Sequence, residues 1–229
     1  MKIAVIGAGR MGRILAARMA TENEVFLYDA DSNAAKAAAE TMHMPAVVLL
    51  GDLNVDAVVL AVPDNAVKSC IAELIAIDKH WNVFSVATNI SREILADMAG
   101  TRIRCLNVKI IGHAGEMSRG AKPLIVIDQG NMDMIRLARQ MFACVGNVLI
   151  GEADQVKQIN SVATEEILKA AVSIERVLRS AGIKDPAMIR EALSQVAPGV
   201  LRAYADDDLG PFARGIVSTL NDKTGQKMI

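Results

Sequence analysis

The sequence predicts an α/β protein: a doubly wound, mostly parallel sheet followed by a small all-helical domain. Three observations carry that prediction. Short apolar runs alternate with amphipathic ones through residues 1–150, the pattern of βαβ units. A glycine-rich turn, Gly7-Ala8-Gly9-Arg10-Met11-Gly12, sits directly between the first apolar run and the first amphipathic one. After Gly151 the pattern changes, and Glu152 to Ala181 contains neither Pro nor Gly.

Taken in order, Met1 to Ile6 read as a buried strand and Arg13 to Ala20 as a helix. Val25–Tyr28 is a second strand, and Asn33 to Met42 a helix. Ala46–Leu50 is apolar and short enough for a strand. Asp56–Val62 is another, stopped by Pro63, with a helix over Ala66 to Ile75. Val83–Ala87 is a strand ending at Thr88-Asn89, and Ser91 to Met98 a short helix. Ile103–Ile111 and Leu124–Asp128 read as strands, with a flexible, glycine-containing stretch between them. Asn131 to Val145 is helical and Asn147–Ile150 a last strand. Strands this uniformly apolar fit a sheet covered on both faces. Domain one is thus residues 1–150 and domain two residues 151–229.

In the second domain an apolar stripe (Ala153, Val156, Ile159, Ala163, Ile167, Ala170, Ile174, Val177) repeats with helical spacing. At 1.5 Å per residue that helix spans roughly 45 Å. Gly182 stops it. Pro186 begins a helix that continues over Met188 to Val196, Pro198-Gly199 breaks it, and Val200 to Ala205 and Pro211 to Leu220 follow. Residues 221–229 read as a frayed end. So long a helix, with so little chain left to cover it, predicts a homodimer built through residues 152–220.

Bulk properties exclude several classes. Basic residues number 25 and acidic residues 26, a net charge of −1, so no basic field exists to bind nucleic acid. Aromatic residues are 3% of the chain, too few for a base-stacking platform. No apolar run approaches the roughly 20 residues that span a bilayer. The three cysteines, Cys70, Cys105 and Cys144, fit no disulfide framework and no metal spacing. With a strand starting at residue 2 there is no room for a signal peptide. The expectation is a cytoplasmic protein without a metal.

The glycine turn has a specific chemistry. Gly7 permits the tight turn out of the strand, Gly9 lets the backbone approach a pyrophosphate, and Gly12 lets the helix pack on the sheet. The helix N-terminus offers unpaired N–H groups and partial positive charge to the phosphates. Asp29 closes the second strand, about 20 residues on, where a carboxylate receives the adenosine ribose hydroxyls. That carboxylate repels a 2′-phosphate, and no Arg or Lys lies between Asp29 and Ala35, so NAD is favoured over NADP. Arg10 and Arg13 leave NADP possible. These features define a Rossmann-type nucleotide site and point to an oxidoreductase. Ligands in such sheets lie beyond the carboxyl ends of the strands, which brings Ala61, Val62, Pro63 and Thr88 to the same crevice.

Lys157, Asn160, Ser161 and Thr164 share one narrow face at the start of the long helix. A desolvated lysine there would have its pKa lowered toward neutrality and serve as acid or base, with Asn160 orienting a substrate. His113, between Gly112 and Gly115, is a candidate proton donor. Lys109 and Lys122 flank that stretch and are placed to draw in an anionic substrate. Arg214 is a candidate to reach a partner's site.

At this point the chain resembles the β-hydroxyacid dehydrogenase and 6-phosphogluconate dehydrogenase superfamily. The resemblance rests on Ile6 through Gly12, on Ala61-Val62-Pro63-Asp64, on Thr88, on Ile110 through His113 with Gly120 through Leu124, and on Gly151, Lys157 and Asn160. It implies hydride transfer between NAD(P) and a small hydroxyacid, with Lys157 as acid/base. Three departures bear on this: Ile111-Gly112-His113 replaces a Ser-Gly-Gly loop, Ser161 replaces a second Asn, and the helical domain is short. Its size is similar to that of pyrroline-5-carboxylate reductases, which reduce a cyclic imine and dimerise through C-terminal helices. A nucleotide-binding module without chemistry, reporting the NAD/NADH ratio, is the third reading.

Overall fold

The computed structural model describes residues 1–47 and 49–224. Seven strands form one sheet: β1 (Lys2–Ile6), β2 (Glu24–Tyr28), β3 (Ala57–Leu60), β4 (Trp81–Ser85), β5 (Ile103–Ile111), β6 (Leu124–Asp128) and β7 (Asn147–Gly151), in the order β2-β1-β3-β4-β5-β6-β7. All neighbours are parallel except β5 and β6, where Val108 pairs with Ile127 and Ile111 with Leu124. The helices of this part are α1 (Arg10–Met19), α2 (Ser32–Met42), α3 (Asp64–Ala76), α4 (Arg92–Met98), α5 (Ala114–Ser118) and α6 (Met132–Phe142).

Both faces of the sheet are covered over its central strands, while Leu149 and Ile150 of the β7 edge stay exposed. On one face Ile3, Val5, Val59, Phe84 and Val108 pack with Leu15 and Met19 of α1, Ala38 of α2 and Met141 and Phe142 of α6. On the other, Ala4, Ile6, Leu60 and Val83 pack with Val67, Ile71 and Leu74 of α3 and Leu95 of α4. The alternation is strict, since successive side chains of a strand point to opposite faces.

Three expectations are corrected here. Ala46–Leu50 is not a strand. Ala46 forms a single parallel bridge to Leu27, at the open edge of β2, and Leu50–Asp52 is a 3₁₀ turn; Val48 lies outside the described residues. Pro45, whose carbonyl accepts from Leu27 N–H, brings no donor of its own to this edge. The stretch between β5 and β6 is not irregular throughout, because it holds α5. Helix α1 also starts three residues earlier than its amphipathic pattern, with Gly9 at the N-cap.

The chain divides into two compact units, Met1–Val162 and Ala163–Ile229. Helix α7 (Gln155–Ser180) begins in the first and runs on into the second. The second unit also holds α8 (Pro186–Glu191), a π turn over Ala192–Val196, α9 (Ala197–Ala205) and α10 (Pro211–Thr224). Pro198 does not break the chain's path as its sequence suggests. It occupies the first turn of α9, where a missing N–H costs nothing. Of the expected frayed end, residues 221–224 belong to α10 and 225–229 lie outside the described residues.

Candidate active site

The strand order reverses between β1 and β3, which lie side by side although β2 intervenes in sequence. That reversal opens a crevice at the carboxyl ends of the strands. The glycine turn leaves β1 at this point. Gly7 has φ +112, and a Cβ on it would lie 2.4 Å from the Ala61 carbonyl oxygen. A Cβ on Gly12 would lie 1.8 Å from the Gly7 carbonyl oxygen. Both positions therefore admit only glycine. Gly9 differs: its backbone is extended (φ −71, ψ −177), and nothing lies within 4 Å of where its Cβ would be.

No side chain caps the N-terminus of α1. A helix leaves its first N–H groups without intrahelical partners, and at Gly9, the N-cap, the space beside the backbone is open. The loop is braced from behind. Ala8 N–H donates to Asp29 Oδ2 at 2.6 Å, and Arg13 Nε donates to the Ala8 carbonyl at 2.6 Å. Asp29 also accepts from Asp31 N–H through Oδ1 at 2.9 Å. Each carboxylate oxygen has two acceptor sites, so both keep capacity for a hydroxyl donor. Asp31 in turn caps α2 through Asn33 and Ala34 N–H. Asp31 thus caps α2, while Asp29 braces the glycine turn.

Beside the turn is an open cleft of about 320 Å³, lined by Met11, Ala61, Val62, Pro63, Asp64, Val86, Ala87 and Thr88. The motif, the end of β3 and the end of β4 therefore meet in one place. Asp64, at the start of α3, fixes the far wall by accepting from Asn89 N–H at 3.1 Å and Asn89 Nδ2 at 2.6 Å.

The expected catalytic residues are distributed as follows. Asn160 Nδ2 donates to the Ile110 carbonyl at 2.9 Å, tying α7 to the end of β5. Lys157, one turn earlier, is exposed, and among the described residues it makes no ion pair or hydrogen bond. The desolvation expected of it is absent in the single chain. His113 is exposed at the N-cap of α5, its ring folded to about 3.0 Å from where a Cβ on Gly115 would sit. Lys122 is exposed. Arg214 belongs to the second unit, on α10.

Lys109 is a correction. It does not flank the mouth of a substrate loop but is 1% exposed, on the face of β5 opposite Val108 and Ile110. Its ammonium donates to the carbonyls of Ala87 and Ile90, the latter at 2.7 Å. Burial lowers its pKa to about 8, opposed by the charges of Asp154, Asp64 and Asp128. On the same face Asn107 Nδ2 also donates to the Ile90 carbonyl, at 3.0 Å. Asp128, 1% exposed at the end of β6, pairs with the Arg92 guanidinium, whose Nε lies 3.0 Å from Oδ2. Arg92 N–H donates to Asp154 Oδ2 at 3.2 Å, and its guanidinium lies 3.7 Å from Glu152. Of this polar layer only Lys109 was picked out from the sequence, and there as a charge beside the substrate loop. The available signal was a charge in the middle of an apolar strand (Lys109 in ILE-rich β5) and another closing one (Asp128).

Among the described residues no group of His, Cys, Asp or Glu side chains could hold a metal ion, and no helix is long and apolar enough to cross a membrane.

Residues 2–89 match the family described as NADP oxidoreductase, coenzyme F420-dependent. That segment holds the glycine turn, Asp29 and the whole cleft lining. No curated protein matches the chain. Among solved structures, a pyrroline-5-carboxylate reductase from Coxiella burnetii is similar at 18% identity and a TM-score of 0.72, over 97% of this chain and 90% of that one. A pyrroline carboxylate reductase from Plasmodium falciparum with NADP bound gives 15% and 0.67, over 98% and 91%. A 3-hydroxyisobutyrate dehydrogenase from Mycobacterium tuberculosis gives 16% and 0.64, over 84% and 70%. The chain thus has the Rossmann-type α/β fold with C-terminal helices that these enzymes share, and it matches the pyrroline reductase over more of its length than the hydroxyacid enzyme.

Proposed function

We propose that the chain is an NAD(P)-dependent oxidoreductase of small molecules, with a dinucleotide-binding domain over residues 1–150 and a helical substrate and dimerisation domain over 151–229. The observation that carries this reading is the uncapped N-terminus of α1, placed at the strand-order reversal with open space at Gly9. Gly7, Ala8, Gly9, Arg10, Met11 and Gly12 hold the pyrophosphate, Asp29 the adenosine ribose, and Ala61, Val62, Pro63 and Thr88 the nicotinamide end. When bound, the nicotinamide gives or takes a hydride. The protein's share is to orient the substrate and move a proton, a role we give to Lys157, with Asn160 and His113 beside it. The negative charge of Asp29 favours NAD over NADP.

Within this class a small imine is favoured over a hydroxyacid. Ile111 offers no hydroxyl to hold a carboxylate, and among the described residues Lys157 makes no ion pair or hydrogen bond. Reduction of an imine asks only for a hydride at carbon and a proton at nitrogen, a smaller demand on side chains. The pyrroline reductase likeness, which extends over nearly the whole of both chains, supports the same choice.

We further propose a homodimer through residues 152–220. In the second unit Ile189 is the one buried hydrophobic residue among those described, while Val172, Val177, Val196 and Phe212 are 59–85% exposed. The free cysteines support a reducing, cytoplasmic setting.

The test is fluorescence titration with NADH and NADPH, then assay with hydroxyacids and cyclic imines. The expected result is binding of both nucleotides, NADH tighter, and turnover of imines. In Lys157→Ala, kcat falls at least 100-fold while the NADH dissociation constant stays within twofold; full activity in that variant removes Lys157 from the mechanism. Binding without turnover on any substrate identifies a nucleotide-sensing module instead.

A further inference from the structure

A lysine sealed inside a sheet needs a reason, because burying an ammonium costs free energy unless its donors are satisfied. Lys109 is such a residue, and its position supplies the reason. The segment Ala87 to Ile90 turns sharply between β4 and α4, so its carbonyls leave the sheet's hydrogen-bond ladder just where they become buried. Ala87 and Ile90 are 5% and 7% exposed. Between them Thr88 and Asn89 are exposed, and Thr88 lines the cleft. The Lys109 ammonium takes the carbonyl of Ala87 on one side of this bend and that of Ile90 on the other. Asn107 adds a second donor to Ile90.

Resting on the nucleotide-binding reading above, we infer that Lys109 is a positioning residue for the cofactor cleft: its buried ammonium clamps both ends of the Ala87–Ile90 bend and so fixes Thr88 at the cleft wall. Three carboxylates act against the burial of this charge: Asp64 of α3, Asp128 of β6 and Asp154, which precedes α7. Arg92 of α4 is committed to Asp128, with Glu152 3.7 Å away. Through Arg92 N–H and Asp154 the same layer ties α4 to the chain just before α7. Asp64 braces the bend from the solvent side through Asn89, so the bend is held from beneath by a cation and from above by an anion. A purely structural lysine would affect melting temperature alone. A positioning one also affects nucleotide affinity.

The experiment compares Lys109→Gln with Phe142→Leu, a core change on the opposite face, at matched loss of melting temperature. Lys109→Gln is expected to raise the NADH dissociation constant at least tenfold, while Phe142→Leu leaves it within twofold. Equal affinities in the two variants overturn the inference and leave the nucleotide reading standing; a wild-type protein that binds neither NADH nor NADPH overturns both. Should Lys109→Gln not fold, wild-type protein titrated with NADH from pH 7 to 9.5 decides. As the ammonium is lost its hold on two carbonyls weakens, so the dissociation constant rises several-fold; a flat profile overturns the inference.

Discussion

At the scale of single residues, the three glycines of the turn do separate jobs that mutation can tell apart. Gly12 is closed by the protein itself, since a Cβ there would sit 1.8 Å from a backbone oxygen. Gly12→Ala must move the turn off the strand, and we expect a loss on the order of 3 kcal/mol or more, the range of severe overpacking, read as a fall in the denaturation midpoint. Gly9 is open, and its φ and ψ suit any residue. Gly9→Ala should therefore fold with an unchanged melting temperature yet raise the NADH dissociation constant at least 30-fold, because the methyl occupies the ground the pyrophosphate needs. If Gly9→Ala binds NADH as the wild type does, the phosphates do not lie on this loop.

At the scale of elements, mostly apolar runs between turn residues were legible from sequence even where polar residues interrupt them, as β5 and β6 show by ending where their patterns end. The Ala46 segment was not. It is as apolar as a strand, but its pairing is set by what lies beside the β2 edge, which a local pattern does not encode; Pro45, just before it, was the one local sign against a strand. Helix α5 escaped for the reverse reason: five residues with a glycine have no period to read. In the cleft, Gly7–Gly12, Val62-Pro63 and Thr88 were legible because each sits where a strand pattern stops. The polar layer of Lys109, Asp128 and Arg92 was hidden because its partners come from three elements distant in sequence. That layer has its own pH signature. Burial holds Lys109 at about 8, below the ordinary lysine value of about 10.4. Between these values the unfolded chain carries a proton that the folded chain has released, so this residue makes stability rise with pH in that window. Below about pH 8 both states are charged and the contribution is constant at its least favourable. The stability difference between wild type and Lys109→Gln should therefore move in favour of wild type from pH 8 to 10.5, by a few kcal/mol at most, given about 1.4 kcal/mol for each tenfold change in proton affinity. Urea denaturation of both proteins across that range measures it, and parallel curves would mean Lys109 titrates normally.

At the scale of the whole molecule, the two compact units differ in how they satisfy the hydrophobic effect. The first has a core on each face of its sheet. The second leaves most of its apolar side chains in water, with Phe212 85% exposed and Val172 68%. Fully burying one such side chain is worth about 1.5–3 kcal/mol, so several of them left uncovered on helices are a surface that a second copy of the same helices can satisfy symmetrically. Charge pairs along α7, such as Lys169 with Glu165 and Arg179 with Glu175, keep its polar side soluble without closing the apolar one. We expect sedimentation of the wild type to give a dimer at micromolar concentration. Phe212→Glu together with Val172→Glu should shift it to a monomer. The N-terminal unit has its own core and should keep its fold in that variant, so NADH affinity should fall less than fivefold, while turnover, on our proposal that Lys157 acts under the cover of a second chain, should fall much further. A monomeric wild type would leave these helices without the cover that we assign to a second chain. A monomeric double variant with full turnover would show that Lys157 needs no such cover.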